Sequence, residues 1–353
     1  MKLTSNAARR LAAAAITSTA ILLPAGALAS AGSAATVGSP SWARRHPVTV
    51  YVANYNSGTV TPIAGATNKA GKTIKVGGNP VCIAITPNRK TAYVASRISG
   101  TDVVVPINTA TNKPGKAIMT GAGEPGDVQI AITPNGKTAY VTAVSSDTVV
   151  PINTATNTAG KAIPAGDATF GIAITPNGKT AYVAGFTSNT VTPIDTATNK
   201  PGKAIRAGPG PYYIAITPNG KTAYVSDWNY GLSDTVIPIN TATNKAGKAI
   251  TVGTGSAAIA ITPNGKTAYV LNSSSDTVTP INTATNKAGK AIRVGRRPRF
   301  IAITANGKTA YVANSGGHRV TPINTATNTT RKWITVGSGP YAIAITPATP
   351  RSR

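Results

Sequence analysis

The chain has 353 residues and a net charge of +26, from 35 Lys and Arg against 9 Asp and Glu, with 41% hydrophobic residues. The hydrophobic share excludes a disordered polybasic chain, and a single cysteine, Cys82, excludes an internal disulfide. The charge points to polyanionic partners and carries no information on fold.

Reading from the N-terminus, Lys2, Arg9 and Arg10 precede an apolar run at residues 11–23, followed by Pro24 and the small-x-small pattern Ala27-Leu28-Ala29. This pattern predicts a cleaved export signal over residues 1–29 and an exported, extracellular or cell-surface protein. The run is too short to span a bilayer, and no second stretch is long enough to do so. Arg9-Arg10 raises the twin-arginine route, although the residues after the pair fit that motif poorly. Residues 30–46 read as a flexible mature N-terminus, 47–348 as the folded domain, and 349–353 as a tail without a sorting motif.

The folded domain is a repeat. ITPNGKTAYV stands complete at residues 132–141, 174–183, 216–225 and 261–270, and with one change at 85–94 and 303–312. Tyr-Val pairs begin at Tyr51, Tyr93, Tyr140, Tyr182, Tyr224, Tyr269 and Tyr311, spaced by 42, 47, 42, 42, 45 and 42 residues. Each unit reads as four short strands. Strand A is the IAIT run, and Asn-Gly after proline makes a tight turn, because glycine accepts the positive φ such turns need. Strand B is TAYVA, rich in β-formers. Strand C is the DTVTPIN run, and a TATNKAG turn leads to strand D, GKAITVG. No segment has a 3.6-residue period with caps, so helix content is expected near zero. Four antiparallel strands every 42 or so residues define a β-propeller blade, and seven copies define a seven-bladed propeller. The last copy is divided: strand A at the C-terminus, strands B–D at the N-terminus, closing the ring. The proline in every strand C (Pro62, Pro106, Pro151, Pro193, Pro238, Pro280 and Pro322) is expected to bulge or end that strand.

PNGKTAYVAN followed by TVTPINTATN and a glycine-ended strand resembles the YVTN-type β-propeller repeat, which covers nearly all of residues 48–347. The resemblance implies an exported, surface-layer-like seven-bladed propeller, with lactonase-like and nitrous-oxide-reductase-like propellers as neighbours. The sequence departs from that repeat in its strand-C proline and in the Asn that mostly follows strand C.

Strand parity places A–B and C–D turns on one face, and B–C and D–A turns on the other. The first face is monotonously basic. Seven cations lie in A–B turns (Arg89, Lys90, Lys137, Lys179, Lys221, Lys266 and Lys308). Thirteen more lie in C–D turns, among them Lys116, Lys203, Lys248 and Lys290, so the face holds 20 of the 35 basic residues and one acid, Asp195. The second face holds the other acids and every length change, which in a repeat array marks the binding face. Three groups stand out there. Arg296, Arg297 and Arg299, with His318 and Arg319, suit carboxylate or phosphate. Tyr212, Tyr213, Asp227, Trp228 and Tyr230 suit stacking on a sugar ring or peptide. Asp102, Asp147, Asp234 and Asp276, each four residues before the strand-C proline, form either a cation ring or a set of turn caps.

No His cluster has metal spacing, no nucleophile–base arrangement is evident, and no phosphate-binding glycine loop opens a helix. The expectation is therefore a non-catalytic binding or scaffold propeller of the cell envelope, without cofactor or metal and monomeric. Its lysine face would hold an anionic envelope polymer, and its variable face a ligand or protein partner. Two alternatives are sequence-blind nucleic-acid binding by the basic face and a lactonase or lyase-like enzyme at the central funnel.

Overall fold

The computed structural model describes residues 49–122, 128–228 and 234–346. The export segment, the mature N-terminus, the C-terminal tail, Glu124, Asp127 and Tyr230 lie outside them.

Seven antiparallel sheets follow one another around a ring, each ordered A–B–C–D from the axis outward. Blade 1 joins the C-terminal strand A, Pro340–Ile345, to strand B at Thr49–Asn54 and strand C at Thr59–Ala64. In the pairing of these two chain ends Val52 faces Ile343 and Tyr51 faces Ala344. Blades 2 to 7 open with strand A at Asn79–Ile85, Ile130–Ile132, Thr169–Ile174, Pro211–Ile216, Ser256–Ile261 and Pro298–Ile303. Each strand A touches the next around the ring, blade 1 included. No α-helix occurs among the described residues; two single 3-10 turns, Tyr55–Ser57 and Val144–Ser146, are the only helical pieces there.

The prolines act otherwise than expected. Strand C runs straight through each one, and Pro62 stays in register with Tyr51 of strand B. The carbonyl of Pro62 accepts the Gly71 N–H at 2.7 Å, so its missing donor faces strand D, away from strand B. Strand D carries the irregularity. It is split into Lys69–Ala70 and Ile74–Lys75, with one extra residue between its two pairings on strand C. Proline is tolerated because the lost donor points at the sheet edge, where the partner bulges. Gly71 fits because a Cβ there would meet the proline ring at 3.3 Å.

The repeated tyrosine fastens blade to blade. Its ring is buried in strand B, and its hydroxyl reaches the C–D turn of the next blade. There it donates to the side-chain oxygen of the TATN asparagine: Tyr93 to Asn157, Tyr140 to Asn199, Tyr224 to Asn286 and Tyr269 to Asn328, each at 2.6 Å. Tyr51 and Tyr182 do the same to Asn112 and Asn244 at 2.9 and 2.8 Å. Tyr311 of blade 7 reaches Asn68 of blade 1 at 2.6 Å, across 243 residues of sequence. Burial pushes each phenol above its ordinary pKa, so all seven stay protonated donors. Every acceptor asparagine lies in the left-handed region, with φ between 54° and 56°. Asparagine is the non-glycine residue that tolerates this conformation best while still offering an acceptor.

Two checks follow. Tyr311→Phe removes one inter-blade hydrogen bond and should cost about 1 kcal/mol in urea unfolding. Asn68→Ala should cost more than Asn68→Gly, because alanine loses both the acceptor and the left-handed turn. Deleting residues 340–353 removes an innermost strand and should abolish the cooperative thermal transition; unchanged melting would refute the closed ring.

Candidate active site at the mouth of the variable face

The two faces sort as the strand parity requires. The lysine-bearing A–B turns hydrogen-bond to the start of the C–D turns, as in Thr109 N–H to the Lys90 carbonyl at 3.1 Å. D–A loops bond to B–C turns on the opposite face, as in Tyr55 N–H to the Gly339 carbonyl at 3.0 Å.

At the variable-face end of the axis, the second position before the IAIT isoleucine recurs in each strand A. It is Val81, Val128, Phe170, Tyr212, Ala257, Arg299 and Tyr341 in blades 2 to 7 and then 1, so Arg299 is its one charged member. Phe170 and Tyr212 pack at 5.1 Å between ring centroids, and Phe186 and Trp228 complete that aromatic cluster. Tyr212 and Tyr213 are therefore core residues, fully buried, and do not offer the exposed stacking platform read from the sequence. They lie at the start of an innermost strand, where side chains from adjacent blades converge.

Asp227 is also buried, at the end of strand B, and so is not the surface ligand expected. In blades 1, 6 and 7 the same position holds Asn54, Asn272 and Asn314. Asn54 donates to the hydroxyls of Thr59 and Thr61 at 3.1 and 2.8 Å, tying strand B to strand C. Asp227 instead accepts from Thr235 at 3.0 Å. Gly208 lies flush on its carboxylate, where a Cβ would come within 2.3 Å of an oxygen. Burial pushes the Asp227 carboxyl up to about 7, opposed by the Thr235 hydrogen bond.

The expected arginine group divides. Arg296 and Arg297 are exposed, and their carbonyls accept from Gly316 and Ser315 at 3.1 and 3.0 Å, beside the turn that carries exposed His318. Arg319 turns outward and stacks over exposed Trp333 at 4.0 Å. Arg299 turns to the mouth, over the ring of Tyr341 at 5.6 Å. Of the four carboxylates in the B–C turns, Asp147 and Asp276 cap the next D–A loop, accepting the N–H of Ala168 and Arg297 at 2.7 Å each. Asn189 does the same to Gly210 at 2.9 Å. No cluster of three potential metal ligands occurs among the described residues.

Asp234 accepts the Val252 N–H at its backbone carbonyl at 2.7 Å, and Asp102 is different from the other three. The extra length of blade 2 does not form a loop: it extends strands B and C to eight residues each, Thr91–Ile98 and Thr101–Asn108, where other blades have six. A tight turn with Ser99 at φ 51° and Gly100 at φ 80° joins them. The raised hairpin sets Arg97 opposite Asp102, with 3.4 Å between guanidinium and carboxylate. Burial pushes the Asp102 carboxyl up to about 6, the Arg97 charge opposing. The hairpin sits close against Gly77-Gly78, where a Cβ on Gly78 would meet the Arg97 carbonyl oxygen at 1.8 Å. Ser96 also bonds to the Gly77 carbonyl at 2.6 Å.

A continuous set of contacts leads from this pair to Arg299. Asn79, in register with Arg97, donates to the Tyr55 carbonyl at 3.0 Å. Tyr55 stacks on Tyr341 at 5.2 Å, and Arg299 lies over Tyr341. Blades 7, 1 and 2 thus set along one path of contacts two guanidiniums, the half-buried Tyr55 stacked on the buried Tyr341, and a carboxylate with a pKa of about 6. Sequence reasoning missed Arg97, Tyr55 and Tyr341. Arg299 and Asp102 were named from the sequence, but the two added residues of blade 2 read there as a longer loop, not a longer hairpin.

The comparisons with known proteins fit this architecture. The family of seven-bladed β-propeller lactonases matches residues 12–332, and the chain belongs to it. No curated protein matches the chain. Similar solved structures include the periplasmic gluconolactonase PpgL of Pseudomonas aeruginosa, 15% identical with a TM-score of 0.69 over 86% of this chain and 100% of that one. A proposed 6-phosphogluconolactonase of Bacteroides fragilis is 19% identical, with a TM-score of 0.71 over 87% and 99%. Hydrazine synthase of Kuenenia stuttgartiensis is 23% identical, with a TM-score of 0.69 over 78% and 91%. At such identities the structures attest the fold alone. Membership in the lactonase family overturns the expectation of a non-catalytic binding or scaffold propeller. That expectation rested on the lack of contiguous motifs, whereas in a propeller the reacting groups come singly from different blades.

Asp227 gives a prediction with a definite sign. Its folded-state pKa lies above the unfolded value, so the folded protein binds that proton more tightly. Stability is then lost as pH rises from the ordinary carboxylate range through about 7. Asp227→Asn should raise the melting temperature above wild type at pH 8, and the gap should shrink toward pH 5. A variant less stable at both pH values would contradict the buried, destabilising carboxylate.

Proposed function

We propose that the protein hydrolyses a lactone at the mouth of the variable face, between blades 7, 1 and 2. The observation that carries this reading is the lactonase-family match along nearly the whole chain. The names of the gluconolactonase and 6-phosphogluconolactonase-like neighbours favour sugar lactones as the substrate class.

The residues suit the chemistry. Hydrolysis needs a base to activate water, a cation to stabilise the oxyanion, and a proton for the leaving ring oxygen. Asp102, with its carboxyl at about 6, is largely ionised at neutral pH, yet basic enough to take a proton from water. Water attacks the lactone carbonyl, Asp102 takes its proton, and the negative oxygen forms within reach of Arg97 or Arg299. Collapse of the tetrahedral intermediate breaks the bond to the ring oxygen, which receives the proton back from Asp102 and leaves as a hydroxyl. Tyr55, held by stacking on the buried Tyr341, supplies an apolar platform for the ring.

The same reading takes the finer kinship to be the YVTN type, on the repeats quoted above, and the protein to be exported. The basic residues and apolar run at the N-terminus support export, and N-terminal sequencing of the mature protein should begin between Ser30 and Gly32.

A panel of aldonolactones, phosphorylated and not, followed by pH-stat or NMR, tests the activity. Asp102→Asn should lower kcat/KM about 100-fold or more with the fold retained by circular dichroism. The acid limb of the wild-type profile should show an apparent pKa near 6. No turnover of any lactone, with or without divalent metals, would overturn the assignment.

A further inference from the structure

We infer that the lysine face is a docking surface for a planar anionic lipid bilayer, on which the propeller lies flat with its variable face turned to solvent. The inference is independent of the lactonase reading.

The lysines are presented by a rigid device, repeated around the ring. In blade 3 the Thr133 hydroxyl donates to the Asn135 side-chain oxygen at 2.7 Å, and that oxygen also accepts the Lys137 N–H at 2.9 Å. The same pair of bonds recurs at Lys179, Lys221, Lys266 and Lys308, each with its N–H at 3.0 Å. Successive turns also touch: a Cβ on Gly136 would meet Pro87 at 3.3 Å, and one on Gly178 would meet Pro134 at 3.2 Å. All these lysines are exposed. A second, outer set stands at the start of strand D, directly after the C–D turns: Lys69, Lys113, Lys200, Lys245 and Lys287, all exposed. Lys116, Lys203, Lys248 and Lys290, read from the sequence as C–D turn residues, lie further along, in the strand-D bulge at the outer rim. The lone acid of this face, Asp195, is engaged in capping, accepting from the N–H groups of Ala197 and Thr198 at 3.1 and 2.8 Å. The described carboxylates of the opposite face include Asp102, Asp147, Asp227 and Asp276, so charge is separated along the ring axis.

Shape then selects the partner. Two concentric rings of point charges on one flat end of a disc cannot all be met by a linear polyanion, which crosses the disc along a single chord. A planar anionic surface meets them together, each lysine near the surface adding to the attraction. Apart from Arg89 and Arg331 the cations of this face are lysines, and the exposed aromatic beside them, Trp333, is covered by Arg319, so base stacking is not provided for. Attachment is electrostatic and reversible by salt.

Vesicle co-sedimentation of the full protein tests this. Binding is expected to phosphatidylcholine vesicles containing 30% phosphatidylglycerol and not to pure phosphatidylcholine, with release below about 0.5 M NaCl. Replacing Lys137, Lys179, Lys221, Lys266 and Lys308 with Gln should weaken vesicle binding at least about tenfold. Replacing Lys75, Arg206 and Arg293, at the variable-face ends of their outer strands, should change it less than twofold. No affinity for anionic vesicles, equal loss in both variants, or tighter binding to duplex DNA or heparin than to vesicles at the same salt would overturn the proposal.

Discussion

The ring depends on one hydrogen bond repeated seven times, from a buried tyrosine of one blade to a left-handed asparagine of the next. A blade alone is a small twisted sheet with two apolar faces, and it is stable only when both are covered by neighbours. The tyrosine ring supplies much of that cover, and its hydroxyl demands an acceptor once buried. The asparagine supplies the acceptor from a turn whose geometry few other residues tolerate. Since Tyr311 reaches Asn68, the bond that joins neighbours elsewhere also joins the two ends of the chain. The shared sheet of blade 1 does the same through its backbone.

Much of this was legible in the sequence. Blade number, strand order, the divided copy and the sorting of faces follow from spacing and strand parity. The strand-C proline was misread because its effect depends on which way the missing N–H points. That is a property of register, which the sequence pattern leaves open. Tyr212 and Tyr213 were misplaced because they follow a variable loop, although the innermost strand has already begun at Pro211. Asp227 reads as a loop acid beside Trp228, yet it occupies the place that asparagine holds in three other blades.

The candidate site was the least legible part. Arg97 and Asp102 are unremarkable as letters; they matter because two added residues lengthen a hairpin rather than a loop. Tyr55 lies more than 200 residues from Arg299 and Tyr341 in the chain, and only the ring closure brings it to them. On the proposed site, the closure is a functional constraint as well as a structural one, since it sets blade 7 beside blades 1 and 2. The two faces differ in kind: identical turns build the scaffold and its charge, and the departures from identity, Arg299 and the blade-2 hairpin among them, lie on the other face.

The most direct measurement is a crystal structure of the protein with an aldonate product or an unreactive lactone analogue. The account predicts ligand density against Tyr55, with its carboxylate or carbonyl between Arg299 and Arg97 and within hydrogen-bond reach of Asp102. Ordered ligand elsewhere, with the mouth between blades 7, 1 and 2 empty at saturating concentration, would contradict it.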